Sequence, residues 1–141
     1  MEILIRNQQS LPVNQARLIR VAQELLQAEE FPLPAEVSIL LTTEEHIRQL
    51  NRDYRGKDRP TDVLSFQQLE DDLSSPVILG DVVISVGTAA RQAAERDRTL
   101  DDELSLLIVH GILHLLGYDD ETEEGAEEMR KHEMAVLGPR V

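Results

Sequence analysis

The sequence predicts an α+β domain, a small mixed sheet of four strands packed with about five helices, with a metal site on one buried helix. Three observations point there. Short stretches rich in Val and Ile alternate with stretches of helical periodicity, and the later strands come close together instead of each being followed by a helix. Helical stretches outnumber strands. The run Leu106–Asp120, LLIVHGILHLLGYDD, is apolar or Gly from Leu106 to Gly117 except for His110 and His114, and a helix apolar all round is a buried helix.

Taken in order, Ile3–Arg6 reads as a short strand. Pro12 and Asn14 introduce a helix with Leu18, Val21, Ala22, Leu25 and Leu26 on one face. Phe31, Pro32 and Pro34 break it. Val37–Thr42 (VSILLT) reads as a buried strand from its Val and Ile content and its proline flank. Thr43 is a fair N-cap for a short helix from Glu44 to about Arg52, with Ile47 and Leu50 facing inward. His46, near its start, has no ligand spacing and is expected on the solvated surface. Asn51–Pro60 (NRDYRGKDRP) reads as a polar loop. Val63–Gln67 is a strand, Glu70–Pro76 an acidic turn, and Val77–Ser85 (VILGDVVIS) another strand, in which Gly80 suggests a bulge or a close backbone approach. A helix from about Thr88 to Arg98, the histidine-bearing helix entered through Asp101, Asp102 and Glu103, and a last helix from about Glu121 to Leu137 complete the chain. His132 is expected on the surface of that last helix. Carboxylates in a first turn suit the helix dipole and account for part of the acid.

His110 and His114 stand four apart, so on a helix their rings stack on one face, one turn above the other. A buried polar group without a partner costs roughly 1–3 kcal/mol, and two adjacent imidazoles on a core helix ask for something that joins them. A divalent metal ion does this, because neutral imidazole is a common ligand and His-x-x-x-His is a helical chelate spacing. Gly117 can end the helix in a left-handed conformation, which lets Asp119 or Asp120 return toward the rings. Asp120 lies ten residues after His110, where zincins of the H-x-x-x-H-x-x-G-x-x-H type carry their third ligand, so Asp120 is the favoured ligand and Asp119 the fallback. The alternative for both is the N-cap of the last helix. The glutamate of H-E-x-x-H peptidases is missing, and Gly111 stands in its position, which weakens a metallopeptidase reading.

At 141 residues, the chain 1–141 is expected to form one domain. It has 41% hydrophobic and 29% charged residues, ordinary for a globular protein. Nothing resembles a signal peptide, and the apolar run around Leu106–Leu116 is too short to span a bilayer, so the expectation is a soluble cytoplasmic protein with no membrane partner. There is no cysteine, so any metal must be held by His, Asp or Glu. The net charge of −13 argues against nucleic acid when taken alone, because phosphate binding depends on Lys and Arg. The distribution is uneven, however. Acid gathers in Glu70–Asp72, Asp101–Glu103 and Asp119–Glu133, while Arg48, Arg52, Arg55, Lys57 and Arg59 form a local basic patch. No oligomeric state is specified.

Three stretches agree with one family. HGILHLLGYDD resembles the HGxLHLxGYDH signature of the YbeY family of bacterial rRNA maturation endoribonucleases. Asn51–Phe66, NRDYRGKDRPTDVLSF, resembles that family's LNxxYRxKdxxTDVLSF block, and Leu79–Ser85, LGDVVIS, its LGDIxIS block. The resemblance covers essentially the whole chain. It implies a single-strand-specific, metal-dependent endoribonuclease acting in 16S rRNA 3′-end maturation and ribosome quality control, with ribosomal proteins as further partners. It implies one zinc ion per chain, bound by the signature histidines. Two of these carry over as His110 and His114, and the third position holds Asp120, a legitimate zinc ligand that leaves another divalent metal open. Arg55 matches the family's YR arginine and is the expected catalytic contact to phosphate. Arg52, Lys57 and Arg59 are expected to guide the strand. Three rival readings stand beside this: a metal-dependent hydrolase of another substrate, a non-haem iron oxygenase with two histidines and one carboxylate, and a non-enzymatic ribosome assembly factor with a structural metal.

Overall fold

The computed structural model describes residues 2–31, 34–68 and 77–138. Within them run β1 (Glu2–Asn7), α1 (Gln15–Ala28), β2 (Ala35–Thr42), α2 (Glu44–Arg55), β3 (Val63–Gln67), β4 (Val77–Ser85), α3 (Val86–Glu95), α4 (Leu100–Leu115) and α5 (Glu123–Leu137). The expected α+β architecture of a four-stranded sheet and five helices is present among the described residues. Pro32 and the acidic turn expected over Glu70–Pro76 lie outside them.

The sheet has the order β1-β2-β4-β3. β1 and β2 pair in parallel, β2 and β4 pair in parallel, and β3 runs antiparallel to β4 at the edge. Side chains alternate across a sheet, and the apolar residues divide accordingly. Val37, Ile39 and Leu41 of β2 with Leu79, Val82 and Ile84 of β4 join the main core, which α1, α4 and Met129 of α5 complete. Leu64, Val83 and Ile47 of α2 form a second, smaller cluster with Leu40, Leu50 and Phe66 packed on it. α2 therefore covers the side of the sheet that α4 does not.

Gly80 does what its place in the strand suggested. The register between β2 and β4 slips there, from Glu36 opposite Ile78 to Val37 opposite Gly80. Its φ is +141°, and a Cβ on it would lie 2.1 Å from the Phe66 carbonyl oxygen. Only glycine allows β3 to come this close.

Several boundaries differ from expectation. α2 does not stop at Arg52 but continues to Arg55, so Arg55 is the last helical residue and not a loop residue. The helical spacing of Ile47, Leu50 and Tyr54 persists through a polar stretch. Gly56 then ends the helix at φ +69°, with its N–H bonded to the Arg52 carbonyl as in an αL closure and the Lys57 N–H bonded to the Asn51 carbonyl. α3 begins at Val86 and ends at Glu95, because Ser85 caps it by accepting the Thr88 N–H. α5 begins at Glu123, capped by Thr122. Neither Asp119 nor Asp120 is that cap. His46 is half-buried, its Nδ1 2.8 Å from the Thr42 hydroxyl, and His132 is half-buried too, its Nδ1 2.8 Å from Glu29 Oε2. No helix among the described residues is long and apolar enough to cross a membrane.

Candidate metal centre

α4 is fixed at its start by a capping box. The Thr99 hydroxyl accepts the Asp102 N–H, and the Asp102 carboxylate accepts the Thr99 N–H. Arg17 of α1 bonds the same carboxylate at 2.6 Å. The guanidinium, together with Thr99, holds the Asp102 carboxyl below its usual range. From there the helix is buried along most of its length, and it is the element against which α1, α3, α5, β3 and β4 pack. Only near its C-terminal end do two polar side chains reach an opening. His110 and His114 keep 26% and 30% of their side-chain surface, so both rings are held by the core and remain accessible.

Gly111 sits between them. A Cβ there would lie 2.6 Å from Val82 Cγ1 and 3.3 Å from Ser65 Oγ, so α4 touches the sheet at this residue with its backbone. The Ser65 hydroxyl donates to the Gly111 carbonyl at 2.9 Å, and the Gln67 amide donates to the carbonyls of His114 and Leu115. β3 is thereby tied along the C-terminal half of α4. The glutamate of an H-E-x-x-H peptidase has no room at this position.

Gly117 ends the turn with φ +102°, the Tyr118 N–H bonds back to the Leu113 carbonyl, and the chain reverses. Asp120 returns to the rings. Its Oδ2 is 3.4 Å from His110 Nε2 and its Oδ1 3.8 Å from His114 Nε2. The two Nε2 atoms are 3.2 Å apart, on rings inclined at 79°. Tetrahedral zinc with bonds of roughly 2.0–2.1 Å requires donor atoms about 3.3 Å from one another; two of these separations, 3.2 and 3.4 Å, match that spacing and the third, 3.8 Å, is somewhat longer. The donor set, two imidazole nitrogens and a carboxylate oxygen, suits a divalent ion. His110, His114 and Asp120 thus form a group that can hold a metal. Asp119 is engaged elsewhere, its Oδ1 accepting the Glu121 N–H at 2.8 Å.

One residue of this site escaped the sequence reading. Glu133 of α5 is 4% exposed, with Oε1 3.8 Å from His110 Nδ1. The Glu133 carboxylate, with Asp120 and Asp62 behind it, raises the His110 pKa above its ordinary value against the opposing effect of burial. The signal in the sequence is a carboxylate at a position where the helical spacing of Met129, Val136 and Leu137 calls for an apolar side chain.

The three residues open into a cleft of about 860 Å³ whose walls include Arg55, Asp62, Ser65 and Gln67. Arg55 reaches it from the end of α2. Arg52, Lys57 and Arg59 are not among its lining residues; Arg52 is paired with Asp53.

The endoribonuclease YbeY family model matches residues 4–139. This chain belongs to that family. It is 47% identical to the endoribonuclease YbeY of Pelotomaculum thermopropionicum, over 98% of this chain and 96% of that one, and 46% identical to that of Moorella thermoacetica, over 97% and 96%. The solution structure of a Thermotoga maritima protein matches with a TM-score of 0.61 and 31% identity, covering 96% of this chain and 89% of that one. YbeY relatives of this coverage are named as endoribonucleases, hydrolases of RNA phosphodiester bonds, and the His/His/Asp group agrees with metal dependence.

Proposed function

We propose that this chain is a zinc-dependent endoribonuclease that cuts single-stranded RNA, with the 3′ end of 16S rRNA in the cytoplasm as its substrate and the ribosome and its proteins as its setting. The observation that carries the reading is that His110, His114, Asp120 and Arg55 all line one open cleft. The main core, built from β1, β2 and β4 with Val63 of β3 packed against it, supports treating 1–141 as one domain.

His110 and His114 would hold a divalent ion through Nε2, and Asp120 through a carboxylate oxygen. Bound there, zinc supplies Lewis acidity toward a phosphate oxygen. Asp120 makes this ligand set one unit more negative than three histidines, which tempers that acidity. The Glu133 carboxylate, facing His110 Nδ1, holds the ring with Nε2 toward the cleft, the usual arrangement behind a ligating histidine. Arg55 has no carboxylate partner among the described residues, and its planar fork suits two oxygens of one phosphate. It stabilises the negative charge that develops as the phosphodiester is cleaved. Gly111 leaves no place for a peptidase glutamate, so the zincin reading falls.

The test is incubation of zinc-loaded protein with end-labelled RNA, single-stranded and duplex, beside the His114→Ala variant. Internal cleavage of the single strand alone, absent in the variant, is the expected outcome. Equal cleavage of both RNAs, or cleavage surviving in the variant, overturns the reading.

A further inference from the structure

The chain is poor in aromatics, with two Tyr, two Phe and no Trp. Two of these four meet beside the cleft. Tyr54 of α2 and Phe66 of β3 pack edge to face, with ring centroids 5.4 Å apart and planes inclined at 65°. Phe66 rests on the Ile47, Leu64 and Val83 cluster and is fixed by it. Tyr54 remains 70% exposed, with Phe66 against its ring. It precedes Arg55 in the chain, and both line the metal cleft.

Tyr54 and Phe66 also line a second cavity of about 370 Å³, on the side of the sheet that α4 does not cover, walled by Arg6, Ser38, Leu40, His46, Gln68 and Asp81. The aromatic pair is therefore the ridge between two adjoining hollows. Their charges differ. The second cavity carries one guanidinium and one carboxylate, which balance, together with amide and hydroxyl groups that suit the edge of a neutral heterocycle. The metal cleft is lined by Arg55 together with Asp62, Asp119, Asp120 and Glu121; there Arg55, which has no carboxylate partner among the described residues, and a cation held by His110, His114 and Asp120 would suit a phosphate. A volume near 370 Å³ lies at the small end of ligand sites, roughly 300–1,000 Å³.

We propose that Tyr54, propped by Phe66, is a stacking platform for the nucleobase next to the phosphate held at the metal cleft, and that the adjoining cavity receives that base. The inference rests on the RNA-cleaving reading and deepens it. A base in a duplex is stacked on both faces and paired along its edge, so only a single strand can offer one. Stacking is also tolerant of sequence, because every base has a π-face. The platform thus selects for single strands without selecting for sequence.

The test uses the zinc-loaded full chain. In a Tyr118→Phe background Tyr54 is the sole tyrosine and there is no Trp, so its emission reports on its own ring. Titration with a 12-nucleotide oligoadenylate should quench it, and a 12-unit abasic ribose-phosphate of the same charge should not. In the otherwise native chain, Tyr54→Leu should weaken single-strand binding by about 5- to 160-fold, as expected for one stacked base. Tyr54→Phe should keep most of the affinity, and neither variant should lose affinity for the abasic strand. If oligoadenylate binds by anisotropy while Tyr54 emission stays constant, or if Tyr54→Leu binds and cuts RNA as the wild type does, the platform is overturned and the ridge serves a protein partner instead. If the wild type neither binds nor cuts single-stranded RNA, the RNA-cleaving reading falls and this inference falls with it.

Discussion

At the scale of single residues, the departure at Asp120 is the most informative feature. The position was legible because an offset of ten residues from His110 follows from helix geometry and a glycine stop. The same offset favoured Asp120 over Asp119, and in the fold the Asp120 carboxylate faces the rings while Asp119 bonds the Glu121 N–H. His110→Ala or His114→Ala should abolish zinc binding in competition with a chromogenic chelator. Asp120→Ala should weaken it, and Asp120→His should bind at least as tightly as the wild type. Unchanged affinity in Asp120→Ala would transfer the third position to another group. Arg55 was expected in a polar loop and is instead the last residue of α2. As the last residue of α2 it faces the negative end of the helix dipole, an interaction worth about 0.3–1 kcal/mol. Arg55→Ala should therefore lower stability by that modest amount, leave zinc content unchanged and slow single-turnover cleavage by on the order of 10²–10³. Arg55→Lys should recover only part of the rate, because an ammonium lacks the fork. A wild-type rate in Arg55→Ala would remove Arg55 from the chemistry.

At the scale of elements, long apolar periodicities and the capped starts at Asn14 and Thr43 were readable, whereas the caps Ser85 and Thr122 and the polar last turn of α2 were not. α4 and α1 came out as expected, but α2 ran on through Arg52, Asp53 and Arg55, where no apolar residue except Tyr54 marks the face. The contact of α4 with β4 depends on Gly111. Gly111→Ala would force a Cβ against Val82 Cγ1 at 2.6 Å, and overpacking of this kind costs typically 1–3 kcal/mol. Urea unfolding should show that loss, and Val82→Ala in the same chain should return part of it. If the single variant is as stable as the wild type, the close approach is not real. α5 docks on the end of α1 through His132, whose ring nitrogens lie 2.8 Å from Glu29 and 3.2 Å from Glu128. Burial alone would lower its pKa, but the two carboxylates together outweigh this and raise it. A raised folded-state pKa gives stability that is fully present below the unfolded value of about 6.5 and is lost as pH rises through the folded value. The stability difference between wild type and His132→Gln should accordingly be largest in mild acid and shrink above about pH 6.5. A difference that is flat with pH would sever this link.

At the scale of the whole molecule, the class of fold followed from counting strand and helix patterns, but the order β1-β2-β4-β3 did not, because nothing local tells β4 to insert between β2 and β3. The same limit hid the ridge formed by Tyr54 and Phe66, residues that pairing of distant segments brings together. The charge balance also acts globally. A body of net charge −13 opposes the approach of RNA, so binding has to draw on local cations such as Arg55, Lys57 and Arg59. With three or four phosphates neutralised, the log–log slope of single-strand affinity against salt should fall near −2 to −3, at about 0.7 per contact; a slope near zero would point to docking through a protein partner. The burial of α4 has one more consequence. Many small metal sites exist only once the ion has folded the chain around itself. Here the two histidines are mounted on a helix that Leu104, Ile108, Ile112 and Leu113 already anchor in the core, and α1, α3 and the sheet hold that helix with contacts that involve no ligand. Losing the ion would therefore cost the cell an activity and not a protein. A metal-starved pool would remain folded, resist proteolysis and regain function on resupply without new synthesis.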